Sequence, residues 1–333
     1  MSYAYIAATA LYAPGEPIDN EELMRIAGIE FDAAKYRDKI GIERRHIARL
    51  RGIEESTADF AEAASRKAIA NAGLRADDID LFVVATDTPE YISPPTAVVL
   101  QGRLQGGQRD VGAFDVNASC AGFASAFDTA SRIVASDPEV RHAVVTGVYN
   151  MPAYARDGDA FGLSIFADGA GSFVLSKSES PGYITGCRLT DGTQWNFVGV
   201  YTGGTRHPVT HKRLDDGEYG LQLLQRLPGD RNVKLWPGMV RKTIDKAGFT
   251  VEEIDRIIYT QINRSVIEQV NGILGIPQER SHTIMDRYGY TGSACVPMAF
   301  ADAVEQGKVS RGDRVVFVAS GAGLAVSSNA FVY

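Results

Sequence analysis

The chain has 333 residues, 45% of them hydrophobic and 23% charged, the proportions of a globular protein able to bury a large core as one big domain or two moderate ones. Its net charge of -7, with basic residues clustered no further than short pairs such as Arg44-Arg45, argues against nucleic acid or an anionic membrane as the main partner. No apolar stretch approaches about 18 residues, the least that spans a bilayer, and no basic segment leads an apolar one near Met1-Ser2-Tyr3, so the expectation is a cytoplasmic protein without a membrane span or secretory signal.

In chain order, the first clear pattern is a helix ending at Arg66-Lys67-Ala68-Ile69-Ala70-Asn71-Ala72-Gly73. An acidic turn and a buried strand, Leu81-Phe82-Val83-Val84, follow it. A short strand over 113–116 then leads into Asp115-Val116-Asn117-Ala118-Ser119-Cys120-Ala121-Gly122-Phe123. After it, Ala124, Phe127, Ala130, Ile133 and Val134 recur at helical spacing. A cysteine so mounted sits at a helix N-terminus, where unpaired N–H groups and the helix dipole favour thiolate. Its small neighbours let a substrate carbonyl approach and receive backbone hydrogen bonds. The competing reading is a buried cysteine acting as a small hydrophobe, as free cysteines commonly do. Strands follow over 143–146 and 171–175. From about Thr190 to Leu235 the chain is rich in Gly, Asp and Arg and reads as an inserted loop region or cap. A helix then ends at Gly248, with strands over 256–259 and 283–286, a helix from about Ser293 to Gln306, and strands over 315–318 and 329–332.

These elements repeat once. Residues 66–80 align without gaps on 241–255, an offset of 175, and seven of the fifteen positions are identical: Arg66, Lys67, Ile69, Ala72, Gly73, Ile79 and Asp80. Unrelated sequence gives about one identity in such a span, so duplication is the better explanation. Strands alternating with helices predict mostly parallel sheets covered on both faces. The halves divide near Glu179, giving 1–178 with the nucleophile and 179–333 with the insertion at about 190–235. Three widely spaced cysteines, Cys120, Cys187 and Cys295, fit neither a disulfide framework nor a zinc site. Cys187 and Cys295 read as packing residues.

Taken together, Gly41-Ile42-Glu43-Arg44-Arg45-His46, the Cys120 segment, Ile165-Phe166-Ala167-Asp168-Gly169-Ala170-Gly171, Asp286-Arg287-Tyr288-Gly289 and Ser320-Gly321-Ala322-Gly323 make the chain resemble the thiolase-fold condensing enzymes, and within them the ketoacyl-ACP synthase III group. The resemblance covers essentially the whole chain. It implies a five-layered α-β-α-β-α thiolase fold of two similar halves, a homodimer, and an acyl group carried on Cys120 with the backbone amides of Cys120 and Ala322 as oxyanion hole. Asn263, Gly321 and Gly323 join the implied substrate-binding set. So does Ser93, which stands where the family often places a bulky acyl-pocket gate from the neighbouring subunit.

Two departures from that family stand out. Its members pair the cysteine with a histidine and an asparagine, whereas the matching positions here are Thr260, in Thr260-Gln261-Ile262-Asn263, and Tyr290, in Gly289-Tyr290-Thr291. Threonine cannot replace imidazole as a proton carrier at neutral pH, and tyrosine is far bulkier than an asparagine amide. Thr260 and Tyr290 either fill a dead pocket or take a new role at the substrate. The family's adenine-stacking tryptophan falls at Lys35 and its partnering arginine at Ala160, and the helix after Asn263 offers Arg264 but then Ser265 and Glu268 to an acidic carrier protein. Of the five histidines, His46, His142, His207, His211 and His282, the best alternative base is His207, in the insertion. Gly169-Ala170-Gly171 lacks the third glycine and the setting of a dinucleotide site, and Asp157-Gly158-Asp159 lacks the spacing of a calcium loop. No NAD, metal or other cofactor is expected.

The leading expectation is therefore an acyltransferase that takes an acyl group from a CoA or carrier-protein thioester onto Cys120 and passes it to an acceptor, in fatty-acid, polyketide or secondary metabolism. Only decarboxylative condensation demands the lost pair. Two alternatives stand beside it: carbon–carbon bond formation at an unusual Cys-Thr-Tyr site, and a non-catalytic heterodimer partner of an active paralogue.

Overall fold

The structure, a computed structural model, describes residues 2–107 and 109–333. In the first half, strands β1 (Tyr3–Tyr12), β2 (Leu81–Ala85), β3 (Gly112–Val116), β4 (His142–Tyr149) and β5 (Gly169–Ser178) form one sheet in the order β1-β5-β4-β2-β3. In the second half, β6 (Tyr183–Gln194), β7 (Arg256–Tyr259), β8 (Arg314–Gly321) and β9 (Gly323–Val332) form another in the order β7-β8-β9-β6. Helices α1 (Thr57–Asn71) and α2 (Thr96–Gln105) cover the outer face of the first sheet, and α4 (Arg231–Ala247) packs on the outer face of the second, with α5 (Arg264–Leu274) against it. Between the sheets lie α3 (Gly122–Ser136) and α6 (Cys295–Glu305). The layers thus run α-β-α-β-α.

Residue chemistry explains this order. Strand β2 reads Leu-Phe-Val-Val-Ala and is buried at every position, as a strand covered on both faces must be. Helix α6 buries nine of its eleven residues, including Pro297 and Asp302, because it touches a sheet on either side. Helix α1 instead keeps Glu62, Arg66 and Lys67 away from the core and buries Phe60, Ala61, Ala64, Ala68 and Ile69 against the first sheet.

The 175-residue offset recurs in part of the element order. It carries β2 onto β7 and α1 onto α4, and it carries Cys120 onto Cys295, the first residue of α6. Two expectations fail. The sheets are not mostly parallel, since only β2–β4, β2–β3 and β7–β8 pair in parallel while β1–β5, β4–β5, β8–β9 and β6–β9 are antiparallel. Strands β8 and β9 are joined by Ala322 alone, and so short a link cannot reverse into a parallel crossover. The strand expected over 283–286 is also absent. Ser281 makes one isolated bridge to Ile257, the Ile284 amide then donates to the Gln261 side chain at 2.9 Å, and Met285–Tyr288 turns into a helix. The insertion holds a short antiparallel ribbon pairing 198–200 with 221–223 and a helical turn at His211–Asp215, and its end, from Arg231, is already α4.

Candidate active site

Cys120 lies between the C-terminal end of β3 and the start of α3. Tight turns hold it there, with the Ala121 amide donating to Ala118 O at 3.1 Å and the Gly122 amide to Ser119 O at 2.8 Å. Ser119 has a φ of 49°, the only positive value at a non-glycine among the described residues, and its amide is fixed by Asn117 Oδ1 at 3.0 Å. A left-handed serine is uncommon and is tolerated where surrounding structure dictates it, often at a functional site.

The Cys120 thiol borders a cavity of about 120 Å³, several times the roughly 30 Å³ a water molecule occupies in the liquid, so a small reacting group fits against the sulfur. Most of the wall is apolar, from Met151, Phe161, Phe166, Leu221 and Ile262. The polar exceptions converge on Cys120: Asp87, Ser119, Tyr149, Arg231, Asn232 and Tyr290, with Ser320, Gly321 and Ala322 along one side. A concave, mainly apolar pocket with a few convergent polar groups is the form a small-molecule site takes.

Tyr290 is 2% exposed and lines the same cavity as the cysteine sulfur. Its backbone is clamped to the neighbouring segment through Tyr290 N to Ile165 O at 3.1 Å and Ala167 N to Tyr290 O at 3.0 Å, and its ring packs against Tyr149 and Phe166. Burial and the nearby thiol push the phenol well above its ordinary range, which leaves it protonated and so equipped to donate. The thiol itself is pushed up to about 12, by burial first and by the Asp87 charge second, and the neighbouring Tyr290 and Ser119 hydroxyls offset only part of this. The expectation that the helix N-terminus would favour thiolate is thus corrected: desolvation outweighs the dipole, whose effect is at most about 2 kcal/mol. Arg231, at the start of α4, donates to Gln194 at 3.2 Å and makes no ion pair among the described residues. Burial lowers its pKa, while Tyr290 and Cys120 raise it, so its charge bears on the same cavity.

Of the other residues singled out by sequence, Ala322 and Gly321 line the cavity and Thr260, Asn263, His207, Ser93 and Gly323 do not. The Thr260 hydroxyl accepts from the Ser320 amide at 2.9 Å, so it braces the glycine turn and offers no group to substrate. Asn263 caps α5, its side chain accepting from the Ser265 amide at 3.0 Å. Gly323 pairs with Gln194 in the sheet, and Ser93 is exposed. His207 lines a separate, larger cavity within the insertion, beside Trp195, Tyr201 and Glu218, and is corrected as a candidate base for Cys120. Asp87, Arg231 and Asn232 are functional candidates that sequence reading passed over.

His282 is not available as a base. Its Nε2 lies 2.6 Å from Asp302 Oδ2, and Asp302 also accepts from Arg287 at 2.7 and 2.8 Å and from Gln306 at 2.8 Å. Burial pushes the Asp302 carboxyl up, but the bonds from His282 and Arg287 outweigh it and hold the group well below the usual carboxylate range. Because the folded pKa is depressed, the stabilisation is complete at neutral pH and fades as pH falls below about 4, the unfolded value. Asp302→Ala is expected to cost about 3 kcal/mol by leaving His282 and Arg287 unpaired. Urea unfolding at pH 7 checks it, and a midpoint equal to wild type contradicts the role.

Residues 114–192 match the family model described as 3-oxoacyl-[acyl-carrier-protein (ACP)] synthase III, and residues 244–333 match that of its C-terminal part. The beta-ketoacyl-[acyl-carrier-protein] synthase III of Xanthomonas campestris pv. campestris is 34% identical over 328 residues, covering 96% of this chain and 95% of that protein. Among solved structures, the 3-oxoacyl-[acyl-carrier-protein] synthase III of Aquifex aeolicus VF5 superposes with a TM-score of 0.85 at 27% identity over 99% of this chain and 100% of that one. The priming beta-ketosynthase of the R1128 polyketide pathway does so with a TM-score of 0.87 at 27% identity, over 99% and 96%.

Proposed function

The chain belongs to the 3-oxoacyl-[acyl-carrier-protein] synthase III family, and from that footing we propose that it transfers an acyl group through Cys120 to an amine, alcohol, thiol or already activated carbon, without decarboxylating a malonyl donor. It has the thiolase fold and is an acyltransferase of the ketoacyl-ACP synthase III type. The narrower reading rests on one observation: among the described residues no imidazole borders the Cys120 cavity, and the position facing the sulfur is a protonated phenol. A malonyl enolate needs two donors beside the cysteine, whereas thioester exchange needs a nucleophile and an oxyanion hole.

In the first half-reaction the thioester carbonyl lies against Cys120 with its oxygen toward the amides of Cys120 and Ala322. Sγ attacks, and the thiol of CoA or of a carrier protein departs. In the second, the acceptor attacks the acyl-cysteine and Cys120 leaves as a thiol. No cofactor takes part. The chain is proposed to act as a homodimer, because the loop carrying Ser93 exposes Tyr91 and Ile92, at 55% and 85%, beside the edge strand β3. A monomer mass by light scattering removes that part of the reading.

Incubation with short acyl-CoA and acyl-carrier thioesters is expected to add one acyl mass to the peptide carrying Cys120, while a malonyl thioester releases no carbon dioxide above background. No adduct from any donor overturns the reading. Carbon dioxide release lost in Tyr290→Phe supports condensation at a Cys-Tyr site in its place. In the transfer reaction, Tyr290→Phe is expected to slow acylation about tenfold, the value of one hydrogen bond of about 1.5 kcal/mol that the phenol would give to the sulfur as it becomes charged in the attack. Its ring still packs on Phe166 and Tyr149. His207→Ala leaves the rate unchanged, and a comparable loss there contradicts the placement of the site.

A further inference from the structure

We propose that Asp87 and Ser119 form a proton path for the nucleophile: Asp87, acting through the Ser119 hydroxyl, takes the proton from the Cys120 thiol as it attacks a thioester and returns it to the departing thiol. This rests on the acyl-transfer reading above and supplies its proton path. Ser119 Oγ donates to Asp87 Oδ2 at 2.8 Å and stands 3.7 Å from Cys120 Sγ. Both side chains line the cavity that holds the sulfur. Asp87 Oδ1 is shut off from solvent and has no hydrogen-bond partner, so this carboxyl is not serving as an ordinary structural acceptor, which would have both oxygens satisfied.

The surrounding backbone holds the three groups in register. Asp87 follows β2 and Cys120 follows β3, two adjacent parallel strands, so both emerge at the same edge of the sheet. Thr86 and Thr88 on either side of Asp87 are buried and bonded to each other at 3.2 Å, and the Thr86 amide is tied to Val116 O at 3.2 Å. Ser119 holds this hydroxyl on Asp87 from a left-handed backbone, a conformation found where the surrounding structure dictates it.

The charges balance. Sγ forms a bond to the carbonyl carbon as its proton passes to Ser119 Oγ, and the proton of Ser119 passes to Asp87 Oδ2. The tetrahedral intermediate then collapses, the carbon–sulfur bond to the carrier breaks, and the leaving sulfur takes its proton back along the same path. The net change is thioester plus thiol to thioester plus thiol. Burial raises the pKa of both Asp87 and Cys120, so the cavity favours one negative charge shared between them over two, and moving the proton removes the repulsion that suppresses the thiolate.

Acylation by acetyl-CoA and alkylation by iodoacetamide, both followed by mass across pH, test the proposal on Asp87→Asn and Ser119→Gly. Glycine suits the left-handed backbone at 119, so that variant keeps the fold while removing the hydroxyl. Both variants are expected to acylate about 100-fold more slowly, at the low end for loss of general base catalysis. Alkylation needs no proton returned to a leaving thiol. It stays within a few-fold of wild type in Ser119→Gly and shifts to lower pH in Asp87→Asn, where a repelling charge is gone. Wild-type acylation in both variants overturns the relay, as does faster acylation in Asp87→Asn. Equal slowing of acylation and alkylation also overturns it, by assigning the pair a structural role. Absence of any acyl adduct on the wild-type protein instead defeats the acyl-transfer reading itself.

Discussion

Cys120→Ala is expected to form no acyl adduct and to lower transfer by about 10⁴-fold or more, the scale seen when a covalent nucleophile is removed. The fold should survive, because the lost sulfur borders a cavity at 9% exposure and is an uncharged thiol at neutral pH; a cost below about 1 kcal/mol is expected. Cys295→Ala is the control. Its thiol occupies the duplicated position, is 0% exposed and borders no cavity among those described, so the adduct remains. The pH dependence gives an independent signature. With the thiol pushed up to about 12, the thiolate fraction of the wild type rises about tenfold per pH unit below that value. Alkylation by iodoacetamide is therefore slow near neutrality, climbs with unit slope between about pH 8 and 10, and disappears in Cys120→Ala. An adduct undiminished in that variant, or a plateau near pH 7, contradicts the assignment.

What could be read from the sequence was what one-dimensional spacing encodes. The duplication showed as identities at a fixed offset, and Cys120 showed as a thiol between an apolar strand and an amphipathic helix. The failures share a cause in side chains that act across the fold. Gln261 takes the Ile284 amide away from any strand partner, which ends the strand expected over 283–286. Thr260 resembles a lost catalytic position in sequence, yet its hydroxyl faces the Ser320 amide. Asp87, in Thr86-Asp87-Thr88-Pro89, reads as a turn residue, and nothing local connects it with Ser119, 32 residues on. One signal was available: β2 and β3 both read as strands, and polar residues just past the carboxyl ends of neighbouring parallel strands share a crevice. Arg231 was hidden differently, since the insertion was drawn past it and its position at the start of α4 emerges only from the packing.

Gly321→Ala is expected to slow acylation by about 10²- to 10³-fold, the loss associated with one oxyanion-hole donor. The requirement for glycine here is contact rather than backbone conformation, because Gly321 is not among the positive-φ positions. A methyl group at this site lies 2.7 Å from Ala118 O, 2.8 Å from Cys120 N and 3.0 Å from Ala121 N, all rigid backbone. Either the β8–β9 turn or the Cys120 segment has to retreat. Both movements carry the Ala322 amide away from that of Cys120, so the carbonyl oxygen keeps one donor and loses the other. Alkylation by iodoacetamide needs no oxyanion donor, and in this variant it should change far less than acylation. Acylation and alkylation falling together locate the damage at the sulfur, while unchanged acylation shows that the Ala322 amide has no part in holding the oxyanion. The contrast with Ser119→Gly is instructive: there the oxyanion donors stay and the proton path goes. Acylation by a thioester with a more acidic leaving thiol, which needs less protonation, should recover in Ser119→Gly and not in Gly321→Ala.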